Sequence, residues 1–110
     1  MRKVLNFIGS SLDDLKTFPQ DPRKEMGHQL DLVQQGFDPD DWKPFPAVGK
    51  GVREIRVKDV TGIYRAMYIA KFDDAVYVLH CFQKKTEATS KKDVDLAKDR
   101  FRMLMQEKQK

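Results

Sequence analysis

Between Val52 and Thr86 the chain sets three runs of β-branched and aromatic residues almost end to end, separated only by KDVTG and by Asp73-Asp74. Connections this short suit consecutive antiparallel hairpins, so the runs Val52 to Lys58, Ile63 to Phe72 and Ala75 to Phe82 are expected to form a small meander. The same stretch carries Arg53, Arg56, Arg65, His80, Lys84 and Lys85 within or at the ends of those runs. Ionised groups are costly to bury unless they are paired, so the pattern points to an anionic partner.

The rest of the chain reads as helical cover for that sheet. Lys3 to Ile8 is compatible with a short strand. Ser10 or Ser11 then offers an N-cap for a short helix ending near Phe18, with Asp13 and Asp14 in its first turn. Arg23 to Gln35 places Met26, Leu30 and Val33 at helical spacing and meets a stop at Gly36. Residues 36–51 hold three prolines, DPDD and the aromatic anchors Trp42 and Phe45, the composition of an ordered crossing loop. A last helix is expected after Ser90, with Asp93 at N3 and Val94, Ala97, Phe101 and Leu104 or Met105 on one stripe; the Lys-rich tail beyond Met105 is expected to fray. A length of 110 residues suits a single domain spanning 1–110. The fold class is therefore α+β: a small curved antiparallel β-sheet, made of an N-terminal strand plus the three-strand meander, with two N-terminal helices and a C-terminal helix.

Charge is distributed unevenly. Residues 1–49 hold 6 Lys+Arg against 8 Asp+Glu, a net of −2, whereas residues 50–110 hold 15 against 9, a net of +6. A nucleic acid is the simplest partner for the second half, and an acidic protein surface would satisfy it too. No apolar run approaches the ~20 residues of a membrane span, and the N-terminus lacks the features of a secretory signal, so a cytoplasmic protein is expected. The lone Cys81 lies in an apolar strand pattern and reads as a small core hydrophobe.

Several chemistries lack their signatures. Two histidines and one cysteine show none of the paired spacings of a zinc site, and no phosphate-binding glycine loop or G-x-S-x-G turn is present. Neither a metal nor a cofactor is expected. Cation-assisted phosphate chemistry remains. RNA is cleaved by its own 2′-hydroxyl once protein groups orient it, neutralise the developing charge and move protons. Arg65 supplies a permanently charged fork for phosphate, and His80, Lys84 or Lys85 can exchange protons. Each has a plainer reading: His80, alternating with Val78 and Phe82, fits a satisfied core histidine, Lys84 and Lys85 fit a solubilising strand end, and Lys91 and Lys92 a solvated helix start. Arg53 and Arg56 have opposite parity, so only one shares a face with a given site; Arg56 is preferred. Tyr64, Tyr68, Tyr77 and Phe82 offer rings for base stacking, although strand aromatics more often pack.

Taken together, REIRV (Arg53 to Val57), the IYRAMY run around Arg65, VYVLHCFQKKT (Val76 to Thr86) and SKKDVDLAKDR (Ser90 to Arg100) resemble the RelE/HigB superfamily of type II toxins, in its phage-derived HigB-like branch. The resemblance implies a curved antiparallel sheet with helices on one face and a basic, metal-independent site that cleaves mRNA on the translating ribosome. The family's Tyr-Arg strand pair falls on Tyr64 and Arg65, its upstream cation on Arg56, its basic pair after the strand on Lys84 and Lys85, and the histidine of the HigB-like branch on His80. Arg65, His80, Lys84 and Lys85 would then be catalytic, and Arg53, Arg56, Tyr64, Lys91 and Lys92 would bind RNA. The RelE-type C-terminal catalytic tyrosine has no counterpart, since the only aromatic after Phe82 is Phe101. The resemblance also implies a cognate antitoxin, a HigA-like helix-turn-helix protein. Two other functions fit the same chain: a ParE-like inhibitor of DNA gyrase that cuts no RNA, and a catalytically inactive RNA-binding regulator.

Overall fold

The computed structural model describes residues 2–84 and 88–109. In chain order its elements are β1 (Val4–Phe7), α1 (Ser11–Lys16), α2 (Gln20–Gln34), β2 (Trp42–Pro44), β3 (Val52–Asp59), β4 (Gly62–Ile69), β5 (Ala75–Lys84) and α3 (Lys91–Lys108). The five strands form one sheet in the order β1-β5-β4-β3-β2. β3, β4 and β5 are the expected antiparallel meander. β1 joins its edge parallel to β5, so the sheet is mixed. A four-residue run gives no clue to its direction, because parallel and antiparallel strands show the same alternation of side chains.

β4 ends at Ile69, short of the expected Phe72, and two further departures have identifiable reasons. The expected crossing loop contains β2, which pairs antiparallel with β3. Three residues ending in proline give no strand signal, yet Pro44 is tolerated on an edge where no ladder donor is required. α2 starts at Gln20, before the expected Arg23, because Pro22 falls in the first turn, where an N–H would have no acceptor within the helix. Its end is as expected. Gly36 (φ +92°) turns the chain while its N–H donates to Val33 O and that of Phe37 to Leu32 O, a Schellman stop.

Helices cover both faces of the sheet, a departure from the one-sided cover implied by the resemblance. Leu15, Phe18, Met26, Leu30 and Val33 of the α1–α2 segment pack with Ile55, Val57, Tyr64, Ala66, Tyr68, Val76, Val78 and Cys81. On the opposite side Ala97 and Leu104 of α3 pack with Val52, Met67, Ile69, Ala75, Tyr77, Leu79 and Phe82, and Val94, Phe101 and Met105 border them. A sheet whose strands are apolar on both sides must be buried on both, which explains the nearly continuous burial of β4 and β5.

α3 is regular to its end. Lys108 Nζ reaches Asp74 Oδ2 at 2.7 Å and lies 4.8 Å from the ring centres of Phe72 and Tyr77, so the tail expected to fray is tethered. The loop before β3 fits closely under this helix: a Cβ at Gly49 would stand 2.5 Å from Phe101 Cε2. Gly49→Ala should therefore push the ring out of place and cost about 1–3 kcal/mol, as overpacking does. A thermal melt checks this; an unchanged midpoint would show that the contact is loose.

Candidate nucleic-acid site

A bulge in β5 decides which side chains meet. Tyr68 pairs with Val78 while Met67 pairs with His80, which leaves Leu79 without a partner on β4. The extra residue reverses the parity of everything after it. Ala75, Tyr77 and Leu79 face α3 before the bulge, and Phe82 faces α3 after it. His80, opposite Met67, and Lys84, two residues beyond Phe82, join that face. Val78, expected to share a face with His80, lies in the opposite core. The bulge thus carries His80 and Lys84 to the side of Arg65, which pairs with Phe82, and of Arg56, which pairs with Arg65.

Arg65 is completely buried, and so is Glu54 from β3. The Arg65 guanidinium donates from Nη1 to Glu54 Oε1 at 2.7 Å. Glu54 Oε2 accepts from Thr89 Oγ1 at 2.9 Å, Arg65 Nη1 also approaches that hydroxyl at 3.5 Å, and Lys43 Nζ lies 3.8 Å from Oε1. Glu54 was missed in the sequence. The signal was present: an ionisable residue in the middle of an apolar strand needs a partner, the same argument that singled out Arg65.

A second carboxylate gathers the remaining groups. Asp93, in the first turn of α3, accepts from His80 Nε2 (2.8 Å) on Oδ1, and from Lys84 Nζ (2.8 Å) and Ser90 Oγ (2.7 Å) on Oδ2. Ser90 also caps the helix, accepting from Asp93 N–H at 3.3 Å, as the sequence predicts. Burial pushes the Asp93 carboxyl up, but the hydrogen bonds from Lys84, His80 and Ser90 together hold it below the usual aspartate range. His80 is stacked on Phe82 at 4.6 Å between centroids. Burial lowers its affinity for a proton more than Asp93 raises it, and Arg100 adds to the lowering. A neutral ring with its proton on Nε2 follows, and the buried Nδ1 has no hydrogen-bond partner among the described residues.

This arrangement fixes a pH dependence. His80 has a folded-state pKa below its ordinary value of 6.5. The unfolded chain therefore binds the proton more readily, and stability falls as the pH drops through 6.5 toward the folded value. His80→Gln should flatten this part of the stability profile, read by urea denaturation at successive pH values. An equally steep profile in the variant would assign the effect to another group.

The other sequence candidates are placed as follows. Arg53 lies on the α1–α2 side, opposite Tyr68, paired with Asp38 at 3.0 Å and 4.1 Å over the Trp42 ring, so it does not join Arg65. Tyr64 does not join it either. It is 1% exposed in the α1–α2 core, 4.8 Å from Phe18 between ring centroids, with its hydroxyl on Thr61 Oγ1, and it offers no open ring for stacking. Arg56 is on the α3 side but pairs with Asp41 at 2.9 Å. Lys91 and Lys92 are exposed at the start of α3. Lys85 lies outside the described residues. Cys81 is buried and its thiol pKa is pushed up to about 12 by burial, which suits core and not nucleophile. Among the described residues no three His, Cys, Asp or Glu side chains converge as metal ligands, and no helix is long and apolar enough to cross a membrane.

A mixed five-stranded sheet, helices on both faces and guanidinium, imidazole and ammonium groups gathered on one of them define a small α+β protein with a basic site. The family model described as Phage derived protein Gp49-like (DUF891) matches residues 13–102, and the chain belongs to that family, which is RelE/HigB-like and toxin-type. No curated protein matches the sequence.

Proposed function

We propose that this chain is the toxin of a type II toxin–antitoxin pair, of the HigB-like kind, and acts as a ribosome-dependent endoribonuclease on mRNA. The observation that carries the reading is the β5 bulge, which sets His80 and Lys84 on the face of Arg65. The reaction needs no metal. The 2′-oxygen attacks the neighbouring phosphorus, the bond from phosphorus to the 5′-oxygen breaks, and the products are a 2′,3′-cyclic phosphate and a 5′-hydroxyl. Arg65 and Lys84 neutralise the charge that grows on the phosphoryl oxygens. Once Asp93 is displaced, His80, uncharged at neutral pH, accepts the 2′-hydroxyl proton on Nε2 as the tautomer with its own proton on Nδ1, and Lys85, the other candidate for proton exchange, supplies the proton to the departing 5′-oxygen. Arg56, on the face of Arg65, and the exposed Lys91 and Lys92 would hold the flanking phosphates.

The cognate antitoxin is a HigA-like helix-turn-helix protein whose acidic surface meets the basic half of this chain. The site acts on cytoplasmic mRNA held by the ribosome. Cutting of a defined mRNA in a purified translation system tests the proposal. A second reading draws on the buried Arg65–Glu54 pair, which suits a structural role as well as a catalytic one. A ParE-like gyrase inhibitor would need no free guanidinium, and it would produce DNA breaks while mRNA stays intact.

A further inference from the structure

The groups proposed to meet RNA are already engaged by one short segment of the chain itself. Thr89 donates to Glu54 Oε2 beside Arg65, and Asp93 accepts from both His80 and Lys84. We infer that residues 89–93 form an intramolecular cover that competes with RNA phosphate for Arg65, His80 and Lys84. The inference rests on the reading of this face as an RNA site.

Three features support a cover that opens. Its anionic element is a carboxylate that takes hydrogen bonds from an imidazole and an ammonium group, the same donors a phosphodiester would use. Lys84 and Asp93 are only partly buried, so an incoming phosphate can reach the ammonium group from solvent and compete with the carboxylate for it. Further along, α3 is pinned: Arg100 donates from Nη1 to Leu79 O and from Nη2 to Ser10 Oγ, each at 2.9 Å, and Ala97 and Leu104 are buried against the sheet. The motion is therefore confined to residues 89–93. Lys91 and Lys92 project into solvent from that same turn, where attraction to a polyanion would draw the cover aside. Arg65 keeps Glu54 as its orienting partner when Thr89 leaves. Opening thus exposes a guanidinium that is already positioned.

The test compares wild type with the double variant Thr89→Val, Asp93→Asn, and with Thr89→Val alone, which keeps the Ser90–Asp93 cap. Two quantities are read on each protein. One is phenylglyoxal modification of Arg65, located by mass spectrometry. The other is the affinity for a short single-stranded 2′-O-methyl RNA, which cannot be cleaved. In the double variant modification should rise and binding tighten, each by about tenfold, the scale of one hydrogen bond to a charged group, and bound oligonucleotide should protect Arg65. Thr89→Val alone should shift both in the same direction by less, so the test does not depend on an intact cap in the double variant. Modification that does not rise, or rises without tighter binding, overturns the cover. Cleavage on ribosomes is assayed separately: a variant that opens and binds more tightly yet leaves mRNA intact would sink the nuclease reading and leave the cover standing.

Discussion

Replacing Arg65 by alanine should destabilise the protein by about 3–5 kcal/mol, because the substitution strands Glu54 as an uncompensated buried charge. Both side chains have 0% exposure, so water cannot take the place of the guanidinium without opening the sheet face. Among the described residues Thr89 and the more distant Lys43 also lie near that carboxylate, and neither replaces a guanidinium hydrogen bond of 2.7 Å. The double variant Arg65→Met, Glu54→Leu removes both charges and should recover most of the loss. Urea unfolding followed by circular dichroism measures all three proteins. If Arg65→Ala unfolds at the wild-type denaturant concentration, the pair is not closed in solution. The expected instability also governs how activity is read: loss of cleavage in Arg65→Ala means little until the folded fraction is known.

Lys84→Ala offers a cleaner view of the chemistry. Lys84 stands near the end of β5, and its ammonium contacts Asp93, which keeps its hydrogen bonds to His80 and Ser90 when Lys84 is lost. The stability cost should be about 1 kcal/mol, the net value of one hydrogen bond. Cleavage should fall by about 100-fold, the lower end of what one donor to a developing oxyanion contributes. Single-turnover cleavage, measured beside a urea titration, separates the two effects. A variant as active as wild type would remove Lys84 from the reacting phosphate.

Most of the fold could be read because it rests on local signals. Short connections define the meander, Gly36 stops α2, and Ser90 with Asp93 starts α3. β2 was hidden because three residues ending in proline pair only when β3 lies beside them. The direction of β1 and the cover on both faces depend on the assembled sheet, which alternation does not encode. For the site, parity showed that only one of Arg53 and Arg56 could share a face with Arg65, and the preference for Arg56 holds because β3 and β4 pair without interruption from end to end. The face of His80 was not legible. Val78, Leu79 and His80 carry no mark of a bulge, and the unbroken alternation put His80 with Val78. Tyr64 illustrates the opposite error: it neighbours Arg65 in sequence, and for that reason it projects through the other side of the sheet into the α1–α2 core. Glu54 and Thr89 are 35 positions apart and meet only through the tertiary fold.

The most direct test is primer extension on a defined mRNA in a purified translation system, with ribosomes present or omitted, for wild type and Lys84→Ala. Discrete cuts that require ribosomes and fade in the variant are predicted. Intact mRNA beside arrested translation, or beside gyrase-dependent DNA breaks, would contradict the nuclease reading.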